Sequence, residues 1–414
     1  MQILRRFRHY VLAIVAALGA IGLESLLRRG MALILSAFML GGPTLPGELV
    51  ANAQDISDEL IPPPLQRIAN CTLNASGDLN QGRSYGDPHI KTFDGKTYSF
   101  QTVGEFLLAK AQNNPFEIQA RHTPVNASLS LNSAVALRVC GDRLGFYAQN
   151  FPDGDSSHSV WVNGKPIKVG ETPVVLPTGG AIALKDNLYV INSPTGEKVT
   201  LAKSTVQQQT FFNIAVFIPS SQRNQMIGLL GNFNGNPKDD MTIRGKGVLP
   251  EQSSYGNLSQ ALSFVGVSTG PVSLSAAEQL YFKQMYNEFG NSWRVSATES
   301  LFDYPQGMTT AKFTDLKFPN EYLTLNMLGR QRIEAAQKTC QKEGVTADMM
   351  EGCIFDVGFS GFSGFARTTA QVNSYLKTAQ ALFPGLGIPT VEQAVDRAVD
   401  KVRPKVCLPF VGCR

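Results

Sequence analysis

From Thr92 to about Ile243 the chain alternates short apolar runs with turn residues, and the runs are three to eight residues long. Examples are Tyr98 to Gln101, Glu105 to Lys110, Phe116 to Arg121, Ala134 to Val139, Leu144 to Ala148, Val160 to Val162, Ile167 to Val169, Leu188 to Ile191, Val199 to Leu201 and Phe211 to Ile218. Asn163-Gly164 between two of them is a strong two-residue hairpin signal. Short strands at this spacing predict an antiparallel β-sandwich or barrel.

After Pro271 the period becomes helical. Phe282, Tyr286 and Phe289 fall at i, i+4 and i+7, and Ile333, Ala336 and Cys340 at i, i+3 and i+7. Gly344 reads as a helix stop, and Thr346 as the cap of a short helix bearing Met349, Met350 and Cys353. A last amphipathic helix is predicted from Val391, Ala394, Val395, Ala398, Val399 and Val402, behind a Thr390/Gln393 capping box. Its stripe suits a core, with a partner helix or membrane surface as the other readings.

At the other end, Arg5, Arg6 and Arg8 precede an apolar run from Val11 to Leu23, and a second run extends from Met31 to Leu40. Neither reaches the 18 or so residues of a membrane span. Ala51-Asn52-Ala53 before Gln54 is a small-x-small cleavage site, so residues 1–53 read as a signal peptide, with a start at Met31 or an uncleaved membrane-associated hairpin as alternatives. The six cysteines all lie beyond that cut, and an even count in an exported chain predicts disulfides rather than buried thiols. Cys340 with Cys353 and Cys407 with Cys413 are the near neighbours, leaving Cys71 with Cys140 by elimination. Closing the Cys340 loop should add about 3 kcal/mol on a chain-entropy model.

Composition narrows the function classes. Only 17% of the 414 residues are charged, against about 25% in an average soluble domain, while 38 Gly and 23 Pro suit turns. The net charge is +4, but five Arg and two Glu sit in residues 1–53, so the remainder stands at +1. A near-neutral chain lacks the concentrated basic face that nucleic acid requires. Gly358-Phe359-Ser360-Gly361-Phe362 and Gly361-Phe362-Ser363-Gly364-Phe365 put the second Gly one place too early for a nucleophile elbow. Gly228 and Gly231 lack the Gly-Lys-Ser/Thr of a phosphate loop. His89, His122 and His158 are scattered along the chain and read as core or surface residues. A non-enzyme is predicted, with a secreted hydrolase within residues 271–414 as the weakest competitor.

Two segments carry chemistry. Asn232, Asn234, Asn236, Asp239 and Asp240 place five oxygen-bearing side chains within nine residues, around a Gly235 that permits a sharp turn. Oxygen donors without His or Cys favour Ca²⁺ over zinc or copper. Ile243 excludes an EF-hand, which needs a bidentate Glu there. On residues alone, a plain Asn234-Gly235 hairpin with solvated Asp side chains competes with a metal loop. The second segment is Gly86-Asp87-Pro88-His89, whose Asp-Pro bond is of the most acid-labile kind, since the carboxyl can attack its own carbonyl.

The run from Gly86 to Phe100, with Thr92-Phe93-Asp94-Gly95 inside it, and the run from Gly228 to Asp240 resemble the opening and closing signatures of the von Willebrand factor type D domain. The likeness covers about residues 84 to 247, and Ser292 to Val295, Ser300 to Tyr304 and Cys340 to Asp356 resemble the region that often follows that domain. It implies a calcium site with Asp94, Asn232, Asn234, Asp239 and Asp240 as ligands and the Asn236 position supplying a backbone carbonyl. In some members the Gly-Asp-Pro-His sequence cleaves itself, so the resemblance also allows a break between Asp87 and Pro88, with His89 beside it. The family's cysteines flanking the closing Gly-Leu are replaced by Ile227 and Leu230, which removes support for disulfide-linked multimers.

The whole reads as a mainly β protein followed by a smaller α-helical, disulfide-stapled region: signal peptide 1–53, linker 54–84, type D domain 85–247, connecting segment 248–320 and helical region 321–414. The expected function is adhesive, matrix or surface-structural binding of an extracellular protein or glycan partner, secreted or at the cell surface, with Ca²⁺ as cofactor and no membrane span in the mature chain. A self-processing precursor is the alternative.

Overall fold

The structure is a computed structural model that describes Cys71, residues 77–250, residues 273–382, and the pairs 407–408 and 412–413. The signal peptide, most of the linker and the helix predicted around residues 390–402 lie outside the described residues.

Two antiparallel sheets face each other. The first has eight strands, in the order β10-β11-β12-β13-β14-β1-β2-β3. Its strands are β1 (Leu79–Tyr85), β2 (His89–Lys91), β3 (Thr97–Ser99), β10 (Val174–Val175), β11 (Ala181–Lys185), β12 (Leu188–Asn192), β13 (Lys198–Val206) and β14 (Gln209–Pro219). The second has seven, in the order β15-β4-β5-β6-β7-β8-β9. These are β4 (Gly104–Ala111), β5 (Glu117–Pro124), β6 (Ser130–Val139), β7 (Asp142–Tyr147), β8 (Val160–Val162), β9 (Lys165–Ile167) and β15 (Met226–Ile227). Every predicted strand is present. Asn163 and Gly164 have φ of 51° and 79°, the two left-handed residues that a tight β8–β9 hairpin needs.

Between the sheets lie Phe100, Phe106, Ile118, Leu137, Phe146, Ile191, Leu201, Phe212, Ile214 and Val216, all buried. The runs are apolar on both faces because the outer faces are covered too. Leu301 and Phe302 pack on Ala134, Ala136, Tyr147 and Trp161 outside one sheet. Outside the other, Phe365 packs on Val206 and Phe211, and it also reaches Leu131 of β6.

Pattern reading named no run at β2, β10, β11 or β15, and it assigned most of β1 to a linker. Residues 79–84 read as linker, yet β1 pairs with β14 from Leu79↔Pro219 to Ser84↔Ile214 and with β2 through Ser84↔Ile90. Its sequence, Leu-Asn-Gln-Gly-Arg-Ser-Tyr, has no apolar alternation, because its buried positions are Gly82, Arg83, Ser84 and Tyr85. Packing of neighbours and ladder hydrogen bonds, not its own hydrophobicity, hold it.

The helical region contains α1 (Ala276–Gln284), which runs into a π-helical turn at Met285–Gly290, then α2 (Arg330–Lys342), α3 (Ala347–Ser360) and α4 (Gly364–Leu382). Ser275 and Glu278 form a capping box for α1. Ile333, Ala336 and Cys340 are the buried stripe of α2, and Gly344, at φ 80°, follows its last turn. Thr346 does precede α3, but its hydroxyl donates to Asp348 Oδ1 at 2.6 Å instead of capping, and α3 is longer than predicted. Disulfides join Cys340 to Cys353, stapling α2 to α3, and Cys71 to Cys140. Cys407 and Cys413 are opposed in a two-residue ladder.

The connecting segment is welded to the β region. Leu107 N donates to Trp293 O at 2.9 Å and Val295 N to Glu105 O at 3.0 Å, extending the ladder of β4. Arg121 and Glu105 form a wholly buried ion pair at 2.7 Å, with the Phe313 ring 3.7 Å from the guanidinium carbon.

His122 lies deep in the same core, between the rings of Phe100 and Phe106, with Nδ1 2.9 Å from Thr102 Oγ1. Burial, aided by Arg294, pushes its pKa down to about 3. An unfolded His binds a proton near pH 6.5, so below that pH the unfolded chain gains a proton that the folded one refuses. Stability should fall by about 1.4 kcal/mol per pH unit on this account between pH 6.5 and 3. His122→Gln should flatten the slope in urea unfolding measured against pH; an unchanged slope would contradict the assignment.

Candidate functional site

The closing loop, residues 228–240, returns to the start of the β region. Phe93 N donates to Leu230 O at 3.0 Å, and Tyr98 Oη donates to Leu229 O at 2.7 Å. Asp94 then grips the loop from across the chain: its Oδ2 accepts from Asn234 N at 2.9 Å and its Oδ1 from Gly235 N at 2.8 Å. Gly235 has φ 92°, and Phe233, at φ 57°, anchors the turn in the core.

The remaining oxygen-bearing side chains turn inward. Asp239 Oδ1 accepts from Asn232 Nδ2 at 3.0 Å, and its Oδ2 accepts from Asn234 Nδ2 at 2.9 Å and Asn236 Nδ2 at 3.0 Å. Burial works against the Asp239 charge, but these three amides hold its pKa below the ordinary value. Asp240 is 2% exposed, accepts from Thr92 Oγ1 at 2.6 Å, and is pushed up to about 6 by burial, with Asp94 and Asp239 adding repulsion. At Gly231 a Cβ would meet Asp240 Oδ1 at 2.1 Å, so a residue without a side chain is required there. All six residues predicted for the site therefore lie on one loop and the strand end facing it. Their donor set is oxygen only and carries three carboxylates, which fits a hard divalent cation.

The second segment is buried elsewhere. Gly86, at φ 63°, turns the chain between β1 and β2, and its N–H donates to Asn213 Oδ1 at 2.9 Å. The Asp87 and His89 side chains lie beneath α3. His89 Nε2 is 2.9 Å from Asp87 Oδ1 and 2.7 Å from Asp356 Oδ1, while Nδ1 is 2.9 Å from Ser99 Oγ. Burial alone would lower the His89 pKa, but Asp356 and Asp87 outweigh it and hold it well above the ordinary value. Asp356 is raised well above its usual range by burial, with Asp87 repelling it. Of the two readings of His89, core or surface, the structure shows the core one, with two carboxyl groups against its ring. Asp356, 267 positions away, completes the cluster, and no sequence signal near it pointed to that role.

The fit of α3 on this turn is tight. Arg83 pairs with Asp348, and a Cβ at Gly352 would meet His89 Cδ2 at 2.8 Å and Tyr85 Oη at 2.9 Å. Among the described residues, no helix is long and apolar enough to cross a membrane.

With this geometry in hand, the comparisons with known proteins are specific. The family profile for the von Willebrand factor type D domain matches residues 82–246. Mucin-4 of Rattus norvegicus is 25% identical over 225 residues, 50% of this chain and 9% of its own length. Sushi domain-containing protein 2 of Homo sapiens is 26% identical over 290 residues, 67% of this chain and 30% of its own. Protein mesh of Bombyx mori is 24% identical over 265 residues, 57% of this chain and 14% of its own. The chain therefore spans less than a third of the length of each of these relatives.

Substituting Gly352→Ala should unseat α3 at an overpacking cost of about 1–3 kcal/mol. Limited proteolysis should then cut the helical region earlier than in the parent chain while the β region stays resistant. Equal protection of both would refute the tight fit.

Proposed function

Since residues 82–246 are a von Willebrand factor type D domain, we propose that this chain is an extracellular binding module of adhesive or matrix type, braced by one Ca²⁺ in the 232–240 loop. Its paired cysteines and its relatives make it a secreted or cell-surface protein. The partner is an extracellular protein or glycan, and the role is structural or adhesive, not catalytic.

The observation that carries the calcium reading is the double grip of Asp94 on the Asn234 and Gly235 amides. It brings the Asn234–Gly235 turn against Asp94, while Asn232, Asn234 and Asn236 meet on Asp239 in the same loop; on this reading Asn232, Asn234, Asp239 and Asp240 would close with Asp94 around the ion, the Asn236 position lending a backbone carbonyl. An ion there replaces the amide protons that now point at Asp239, each Asn turning its oxygen inward. Three carboxylates then offset the double charge. Such an ion fastens the start of the domain to its last loop, so its contribution is stability.

A dissociation constant on the order of 10 µM, in roughly millimolar calcium, would contribute about 2.7 kcal/mol. Returning calcium to the metal-free chain should raise its melting temperature by about 5–10 °C. Asp240→Ala should abolish the response, whatever it does to the baseline. A variant that keeps the full calcium shift would defeat the reading.

Self-processing has one feature in its favour: the buried Asp87 carboxylate precedes Pro88, with an imidazole 2.9 Å away. A secreted fragment beginning at Pro88, absent from Asp87→Ala, would establish it.

A further inference from the structure

The cluster beneath α3 is the feature that neither the loop nor the binding role uses. Among the described residues, Asp87, His89 and Asp356 are the one group of three or more acidic, His or Cys side chains whose ligand atoms all lie within 4.8 Å of one another. We propose that these three residues form a second metal site, for a divalent transition-metal ion of the zinc class, which fastens α3 to the β1–β2 turn.

The donors and the missing protons point to this ligand together. Asp87 is 1% exposed, His89 5% and Asp356 0%. Neither oxygen of Asp87, nor Oδ2 of Asp356, receives a well-directed hydrogen bond. Buried carboxyl groups short of donors call for a cation to replace the water they lost, and a metal ion at Nε2 would take the place of the His89 proton. Arg83, on the same stretch of chain, is committed to Asp348. Ser99 Oγ can fix the proton of His89 on Nδ1, which leaves the Nε2 lone pair facing both carboxylates. That is how metal-binding imidazoles are commonly oriented by an outer partner.

The charge suits the ion as well. A neutral imidazole and two carboxylates carry −2, which a divalent cation cancels. One nitrogen with two oxygens favours zinc or its neighbours over calcium. At 2.7 and 2.9 Å the Nε2 to oxygen separations are hydrogen-bond lengths, and a tetrahedral ion with bonds of about 2.05 Å would open them to about 3.3 Å. Gly86 leaves the room: a Cβ there would meet Asp356 Oδ2 at 2.3 Å. Two ligands come from the turn and one from α3, so the site exists only when the helix is docked.

The test uses the tag-free secreted chain carrying His158→Gln, which removes the exposed His158 that Asp153 and Asp155 flank. The chain is stripped of metal, incubated with zinc in excess calcium, desalted, and its zinc counted by mass spectrometry. The expected result is one zinc per chain. His89→Gln and Asp356→Asn should lose it, and Asp94→Ala should keep it. Ser99→Ala, a mild change at a half-buried position, should fold and bind zinc about tenfold more weakly. Cobalt in place of zinc should show visible absorption with a histidine ligand. No zinc in the His158→Gln chain would overturn the proposal, leaving a proton as the cation of the cluster. So would zinc that His89→Gln retains or that Ser99→Ala does not weaken.

Discussion

The grip of Asp94 on the amides of Asn234 and Gly235 closes the β region, because it fastens the segment after β2 to a loop 140 residues later. Nearly everything else in the domain is ladder and core, which neighbouring strands supply for one another. The closing loop has no such neighbours beyond its first residues. It makes its own order from polar groups: backbone amides on Asp94, three side-chain amides on Asp239 and the Thr92 hydroxyl on Asp240. On the reading proposed above, a cation at that point would turn these carboxylates into a clasp, and the domain would answer to the calcium level of its surroundings.

The helical region is attached by a different logic. With the connecting segment it covers sheets that would otherwise expose apolar outer faces, through Leu301 and Phe302 of that segment and Phe365 of α4. A disulfide stiffens α2 against α3, and α3 sets Asp356 against His89. The Gly-Asp-Pro-His turn is therefore not a free loop but the floor of an interface. Any account of cleavage, metal binding or partner release at that turn must include the helix above it.

Much of this architecture was legible in the sequence, for identifiable reasons. Strands with apolar runs, the Asn163-Gly164 hairpin, the α2 stripe and the Cys340–Cys353 staple all depend on local pattern or short separation. The oxygen-rich loop was legible because its donors crowd into nine residues. β1 was not, since its buried positions are Gly, Arg, Ser and Tyr, and tertiary pairing overrides propensity in such a strand. Asp356 was invisible for another reason: it stands among apolar residues in the second half of α3, and only the fold brings it to His89. α4, which begins at Gly364, matched no pattern named in the sequence, and packing of Phe365 on Phe211 gives it a place.

The most direct measurement is hydrogen exchange at the Asn234 and Gly235 amides, compared between the metal-free chain and the same chain with calcium restored. A clasp built by Asp94 and the ion predicts that both amides exchange at least about tenfold more slowly with calcium, while the amides in the middle of β14 are unchanged. Equal exchange in the two states would contradict the account, because the grip would then owe nothing to a cation.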